Sequence, residues 1–174
     1  MSSPDRPLAR GPRMDSADAC LAVVGKKQGA LKGECELPGH VDEITVFNWK
    51  WGVSSPTFAG TGQAAGRRVH DMLQVEKGVD RSTTMLLNAL ATNEELKSVT
   101  LSLRKAGADA EDFFTITLER ARVAACNLVS DDAGDLHEEV KFAFQKVAVQ
   151  YFPQQRSGQR GGAFSFEDEL SEAA

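Results

Sequence analysis

The glycine run Gly60-Thr61-Gly62-Gln63-Ala64-Ala65-Gly66 has the loose spacing of a dinucleotide fingerprint. A phosphate cradle needs a strand before its glycines and a helix N-terminus directly after them. Here Arg67 to Lys77 follows, alternating like a strand, and no Gly-Lys-Ser/Thr ending is present. Loop flexibility explains the glycines more simply. Three histidines, His40, His70 and His137, lie far apart and show neither HxxxH nor HExxH spacing. A zinc site would need them to converge with a cysteine or a carboxylate. Cys126 and His137 form a conceivable nucleophile pair, but a buried structural cysteine is the commoner arrangement. The carboxylate pairs Glu94-Glu95, Asp131-Asp132 and Glu138-Glu139 are adjacent residues. Neighbours on a strand point to opposite faces, which is wrong for a shared acid and base, so they read as solvated surface. No catalytic set, cofactor or metal is expected from these residues, and the chain does not read as an enzyme.

The elements that would position such groups come from a chain of 174 residues, enough for one domain with a real core. Its net charge of −5 argues against a general nucleic-acid binder, which needs a basic face. The three cysteines, Cys20, Cys35 and Cys126, fit no metal or disulfide framework and read as reduced thiols of a cytoplasmic protein. No apolar run is long enough for a signal peptide or a membrane span. Met1 to Ala17 reads as a disordered leader, with Met14 as an alternative start.

Strands are expected at Cys20 to Val24 and at Ala30 to Cys35. A third, Glu43 to Trp51, would place Phe47, Trp49 and Trp51 on one face and Ile44 and Val46 on the other. Trp49 and Trp51 read as core. Val53 to Gly66 breaks the alternation as a long loop, and long loops in compact domains are usually functional or disordered. After a strand over Arg67 to Lys77, Asp80 to Asn93 is the one convincing helix, capped by Asp80, Ser82 or Thr83, with Leu86, Ala89 and Leu90 on its apolar stripe. Alternation recurs at Val99 to Leu103, at Phe114 to Leu118 with a continuation to Leu128, and at Val140 to Phe144. Many short strands with one helix predict a mainly β chain, a sandwich or barrel. The end, residues 155–174, is either a mobile tail or a last strand. The basic pairs Arg67-Arg68 and Arg104-Lys105 serve either as charged edge protection or as charge complementarity across a subunit interface.

Several segments, taken in order, resemble the Hcp family, the tube protein of the type VI secretion system. They are Asn48-Trp49-Lys50-Trp51-Gly52 before the long loop, Gly78-Val79-Asp80-Arg81-Ser82-Thr83 at the helix entry, and Arg104-Lys105-Ala106-Gly107 at a strand end. Ile116-Thr117-Leu118-Glu119 and Glu138-Glu139-Val140-Lys141-Phe142-Ala143-Phe144 complete the series. The similarity covers about Ala19 to Gln154. Lys32-Gly33-Glu34-Cys35 stands where the family usually has Lys-Gly-Glu-Ser, and Phe164-Ser165-Phe166 replaces a Trp-containing end.

That resemblance implies a β-barrel of short antiparallel strands with a flanking α-helix, similar to contractile-phage tail tubes, spanning residues 18–154. It implies homo-hexameric rings that stack into an expelled tube, with a spike protein, a contractile sheath and effector proteins as partners. It also implies a protein that starts in the cytoplasm and is secreted without a signal peptide or membrane insertion. A soluble cargo-binding barrel that builds no tubes is the alternative. Contacts between subunits are expected from Val53, Ser54, Ser55, Pro56, Thr57, Phe58, Gly60, Gly62 and Gly66 of the loop, and from Arg67, Arg68, Arg104 and Lys105.

Overall fold

Apolar side chains at every second position force much of this chain into strands with one wet and one dry face. The computed structural model describes residues 18–105, 111–153 and 161–170; the expected leader lies outside them. Strands β1 (Asp18–Gly25), β2 (Gly29–Ala30), β3 (Ile44–Lys50), β4 (Val53–Ser54), β5 (Val69–His70) and β6 (Leu73–Gly78) precede helix α1 (Ser82–Ala91). Then come β7 (Leu96–Arg104), β8 (Asp112–Ser130), β9 (Leu136–Ala143), β10 (Lys146–Tyr151) and β11 (Phe164–Glu169). All pairings are antiparallel.

The main sheet runs β11-β10-β8-β7-β1-β3-β6-β9, and an additional β8–β9 pairing closes it into a six-stranded barrel. Closure depends on the length of β8. Its first part pairs with β7 from Asp112 to Ala121, and its last part pairs with β9 from Arg122 to Ser130. At Arg120 the backbone turns left-handed (φ 47°), and the buried set shifts from Ile116 and Leu118 to Ala121 and Val123. The barrel is filled by Leu21, Val23, Ile44, Leu73, Val75, Val99, Leu101, Val140 and Phe142, all buried. Each contributes about 1.5–3 kcal/mol by leaving water. Outside the barrel, β10 and β11 continue the sheet as a flange from β8.

The expected strand over Ala30 to Cys35 shrinks to Gly29–Ala30. Beyond it, Leu31 to Glu43 forms a loop tied by backbone bonds from Gly33 N to Asp42 O (2.8 Å) and Cys35 N to Glu43 O (2.9 Å). Glycine is required at Gly33, where a Cβ would lie 2.5 Å from the Glu43 carbonyl oxygen. The expected parity of β3 is half right. Ile44 and Val46 are buried, but the register shifts between Val46 and Asn48, leaving Phe47 69% exposed and turning Trp49 and Trp51 back against the core. A single-residue bulge reverses every later side chain, and periodicity cannot show it. The expected strand over Arg67 to Lys77 is likewise broken between His70 and Leu73.

Helix α1 is shorter than expected. Asp80 Oδ1 accepts from Ser82 N (2.9 Å), and Asn93, with φ 50°, ends the element after Thr92. Leu86 and Ala89 are buried, and the helix packs on β8.

Two carboxylates expected on the surface are buried. Glu94 accepts from the amides of Lys27 (2.6 Å) and Gln28 (2.8 Å) and so fixes the β1–β2 turn. Burial would raise its pKa, but these bonds and that from the Gln28 side chain outweigh it and lower the value. Glu138 lies inside the barrel, directly opposite Lys77 in the β6–β9 ladder, and both are fully buried. Lys77 Nζ donates to Glu138 Oε2 (2.7 Å) and to the Gly78 carbonyl oxygen (3.0 Å), and stands 3.1 Å from Asp80 Oδ1. Thr83 Oγ1 donates to the same Glu138 oxygen (2.9 Å). The pair thus ties two strands to the entry of α1. Lys77 keeps Asp80 if Glu138 is lost, but among the described residues Glu138 has no cation other than Lys77 beside it, so removing the lysine strands a buried carboxylate, whereas replacing both need not. Lys77→Met is expected to cost about 3–5 kcal/mol, and Lys77→Met with Glu138→Leu to be closer to neutral. Urea unfolding of both variants measures this; equal losses would show that the charge pairing is not what matters.

Candidate assembly interface

Between β3 and β6 the chain leaves the barrel as an arm. Val53 pairs with His70 and Ser54 with Val69, and Thr57 bridges Ala64. Phe58 N donates to Gln63 O (2.9 Å) and Ala65 N to Pro56 O (2.7 Å), with Gly60 and Gly62 at positive φ in the tip. The expected irregular loop is therefore a narrow β-ribbon that carries its own hydrogen bonds. It gives no helix N-terminus after the glycines, so the phosphate cradle is absent here.

Every residue from Val53 to Val69 is exposed, including Ser55, Pro56, Thr57, Phe58, Gly60, Gly62, Gly66, Arg67 and Arg68. Phe58 is 59% exposed toward the tip, and Val53 and Val69 are uncovered at the base. A lone two-stranded ribbon that buries nothing is marginal in water. Its apolar residues call for another surface.

The base of the arm is anchored to the last strand. Arg68 grips both oxygens of Asp168 on β11 through Nε and a terminal nitrogen. His70 Nε2 lies 2.7 Å from Asp168 Oδ2, and its ring stacks on Trp51 at 5.9 Å. The hydrogen bonds from Arg68 and His70 hold the Asp168 carboxyl well below the usual carboxylate range. Among the described residues, strand β11 pairs with β10 alone. Phe164 and Phe166 protrude from it, 68% and 45% exposed.

Of the second basic pair, Arg104 ends β7, donates to the Pro38 carbonyl oxygen (2.6 Å) and reaches Asp112 at 3.4 Å. Lys105 lies over the Phe113 ring, 5.5 Å from its centroid. Both Arg68 and Arg104 are thus engaged within their own chain. The conceivable Cys126–His137 pair does not form: Cys126 faces Val140 and His137 faces Val129 in the β8–β9 ladder. Burial pushes the Cys126 thiol up to about 11, as suits an inert cysteine.

The profile of the family described as "Type VI secretion system effector, Hcp" matches residues 23–151. The chain belongs to the Hcp family. Two relatives from Pseudomonas aeruginosa are similar along most of its length. "Protein hcp1" is 33% identical over 141 residues, covering 78% of this chain and 86% of the relative. "Major exported protein" is 27% identical over 147 residues, covering 74% and 86%. Solved Hcp structures share the fold. An Hcp1 from Escherichia coli (EAEC 042 pathovar) aligns over 90% of this chain and all of its own, with a TM-score of 0.75 at 22% identity. A further type six secretion system protein reaches 0.78 at 20% identity, over 89% and 96%.

Sequence reasoning marked the arm but missed its anchor. Arg68 and Asp168 are 100 residues apart, and only the fold joins them. Of the two readings of the end, the structure shows the strand, at Phe164–Glu169, but its alternation carries no sign that Asp168 meets Arg68. A carboxyl with a lowered folded pKa contributes its full stability above its unfolded value, near 3.9, and loses it progressively as pH falls from there through the folded value. The arm base and β11 are therefore expected to stay joined in mild acid. Asp168→Asn is expected to speed amide hydrogen exchange in Phe164 to Glu169 at pH 7 while leaving the barrel strands unchanged. Unchanged exchange in β11 would mean the anchor is not what holds it.

Proposed function

We propose that this chain is a tube subunit of a type VI secretion system, acting by assembly and expulsion without bond-making chemistry. The observation that carries the reading is the pairing of a closed, filled barrel with an exposed apolar arm anchored to an exposed edge strand. A ring needs a contact between two different patches whose rotation closes on itself. The arm, from Val53 to Arg68, supplies one patch that a neighbour can cover, and β11 supplies another beside it. The ribbon's own hydrogen bonds lower the cost of ordering, and a neighbour supplies the burial that the ribbon lacks alone. Arg104 and Lys105 mark a second edge for contact with a neighbour in the ring or in the next ring.

The resemblance to the family supports six subunits per ring and stacking into a tube. Its spike, sheath and effector proteins are the expected partners. The net charge of −5 gives no basis for nucleic-acid binding. The subunit is made in the cytoplasm and exported through the assembled machine.

Replacing Ser54 to Gly66 by a short turn is expected to leave a folded barrel that no longer forms rings. Light scattering coupled to gel filtration, with negative-stain microscopy, reads this directly. Hexamers from the shortened chain would show that the arm is not the ring contact. A wild-type chain that stays monomeric while holding an effector would favour the cargo-binding alternative.

A further inference from the structure

Four side chains that the tube reading leaves unused converge beside β1. Cys20 lies on β1, and Cys35, His40 and Glu43 lie on the hydrogen-bonded loop that precedes β3. Cys20, Cys35 and His40 are buried. The ligand atoms of Cys20, His40 and Glu43 all lie within 4.8 Å of one another, and the Cys35 sulfur is 3.1 Å from that of Cys20. We propose that these residues bind one zinc-like dication, with Cys20, His40 and Glu43 as ligands and Cys35 as the fourth.

The donor set and its surroundings fit that ion. Tetrahedral zinc places neighbouring ligand atoms about 3.3–3.8 Å apart, given bonds of about 2.0–2.3 Å. Binding needs the wide edges of the Cys20, His40 and Glu43 set to close and the 2.7 Å contact between His40 Nδ1 and Glu43 Oε2 to open, and Cys35, which lies against Cys20 but outside that close set, must turn further to complete the tetrahedron. Thiol sulfur selects zinc over magnesium or calcium. The other imidazole nitrogen, Nε2, faces Asp112 at 2.9 Å, and Arg104 backs that carboxylate. A carboxylate behind a ligating histidine is the usual outer support of a zinc ion.

The loop is already shaped for this task. Asp42 N donates to Cys35 O (3.0 Å), Glu43 N to His40 O (3.0 Å) and His40 N to Leu37 O (2.9 Å), so three ligands sit on one fixed frame. A surface cleft of about 510 Å³ reaches Cys35, with Ala19, Leu37 and Val46 in its walls, and offers a way in. Without metal, burial and the neighbouring Cys35, Glu43 and Asp112 push the Cys20 thiol up, so it is a neutral thiol that a metal must deprotonate on binding. Bound metal would fasten the loop to β1 and, through Asp112, to β8.

The test uses the full chain without a histidine tag, kept reduced and titrated with cobalt(II) and then with zinc. The expected result is a near-ultraviolet thiolate-to-cobalt band with strong visible bands of a tetrahedral ion, saturating at about one ion per chain and erased by zinc. Cys20→Ser is expected to remove the thiolate band or shrink it, and Asp112→Asn to weaken binding about 10- to 100-fold. Cys126→Ser is expected to change nothing. The wild-type spectrum decides the matter even where a variant misfolds. A chain that takes up no cobalt, or takes it up without a thiolate band, overturns the site. So does a band that Cys126→Ser abolishes.

Discussion

Everything outside the barrel depends on one strand having to serve two sets of neighbours. Strand β8 is long enough to pair with β7 at its start and with β9 at its end, and this closes the sheet on itself. A flat strand could not do it. The left-handed residue Arg120 and the irregular register between Val123 and Ala125 bend β8 where the two pairings meet. The returning strand breaks at the same level, so that β9 stays in the barrel wall and β10 leaves it. The flange of β10 and β11, and with it the anchor of the arm, follows from that bend. Closure also hides strand edges that would otherwise pair at random, and leaves the arm and β11 as strands with an uncovered side.

The barrel interior is not purely apolar. Lys77 and Glu138 hold the β6–β9 seam from inside, with Thr83 and Asp80 bringing the start of α1 to the same point. Such a pair sets which residues face each other more than it adds stability. A one-residue slip of the seam would turn one of the two strands over and separate the buried carboxylate from its lysine.

Element order and type were legible because the alternation is strong where one face is wet. Ile116, Leu118, Val140 and Phe142 are all buried as their spacing demands. What stayed hidden was local irregularity and distant partnership. The bulge at Phe47 reversed the parity of β3, and nothing in the composition of that strand announces it. Glu94 and Glu138 looked like surface charges because their partners, Gln28 and Lys77, are 66 and 61 residues away. The arm was legible as an interruption of the pattern, since Gly60, Gly62 and Pro56 forbid a core strand. Its ribbon bonds were not, because they depend on main-chain geometry and hardly at all on side-chain type. His40 looked isolated for the same reason: Cys20 and Asp112 reach it only across folded strands.

The seam has a consequence for how the chain is born. Strand β6 cannot find its second neighbour until β9 has been translated, and the two contacting residues are 61 positions apart. At roughly 5–20 residues per second of synthesis, the open side of β6 waits roughly 3–12 s on the ribosome. Any sheet that β1, β3 and β6 form before then must stay open on the β6 side, with Lys77 on the face that later lies inside. A charge there would keep that edge hydrated and discourage a neighbouring nascent chain from docking first.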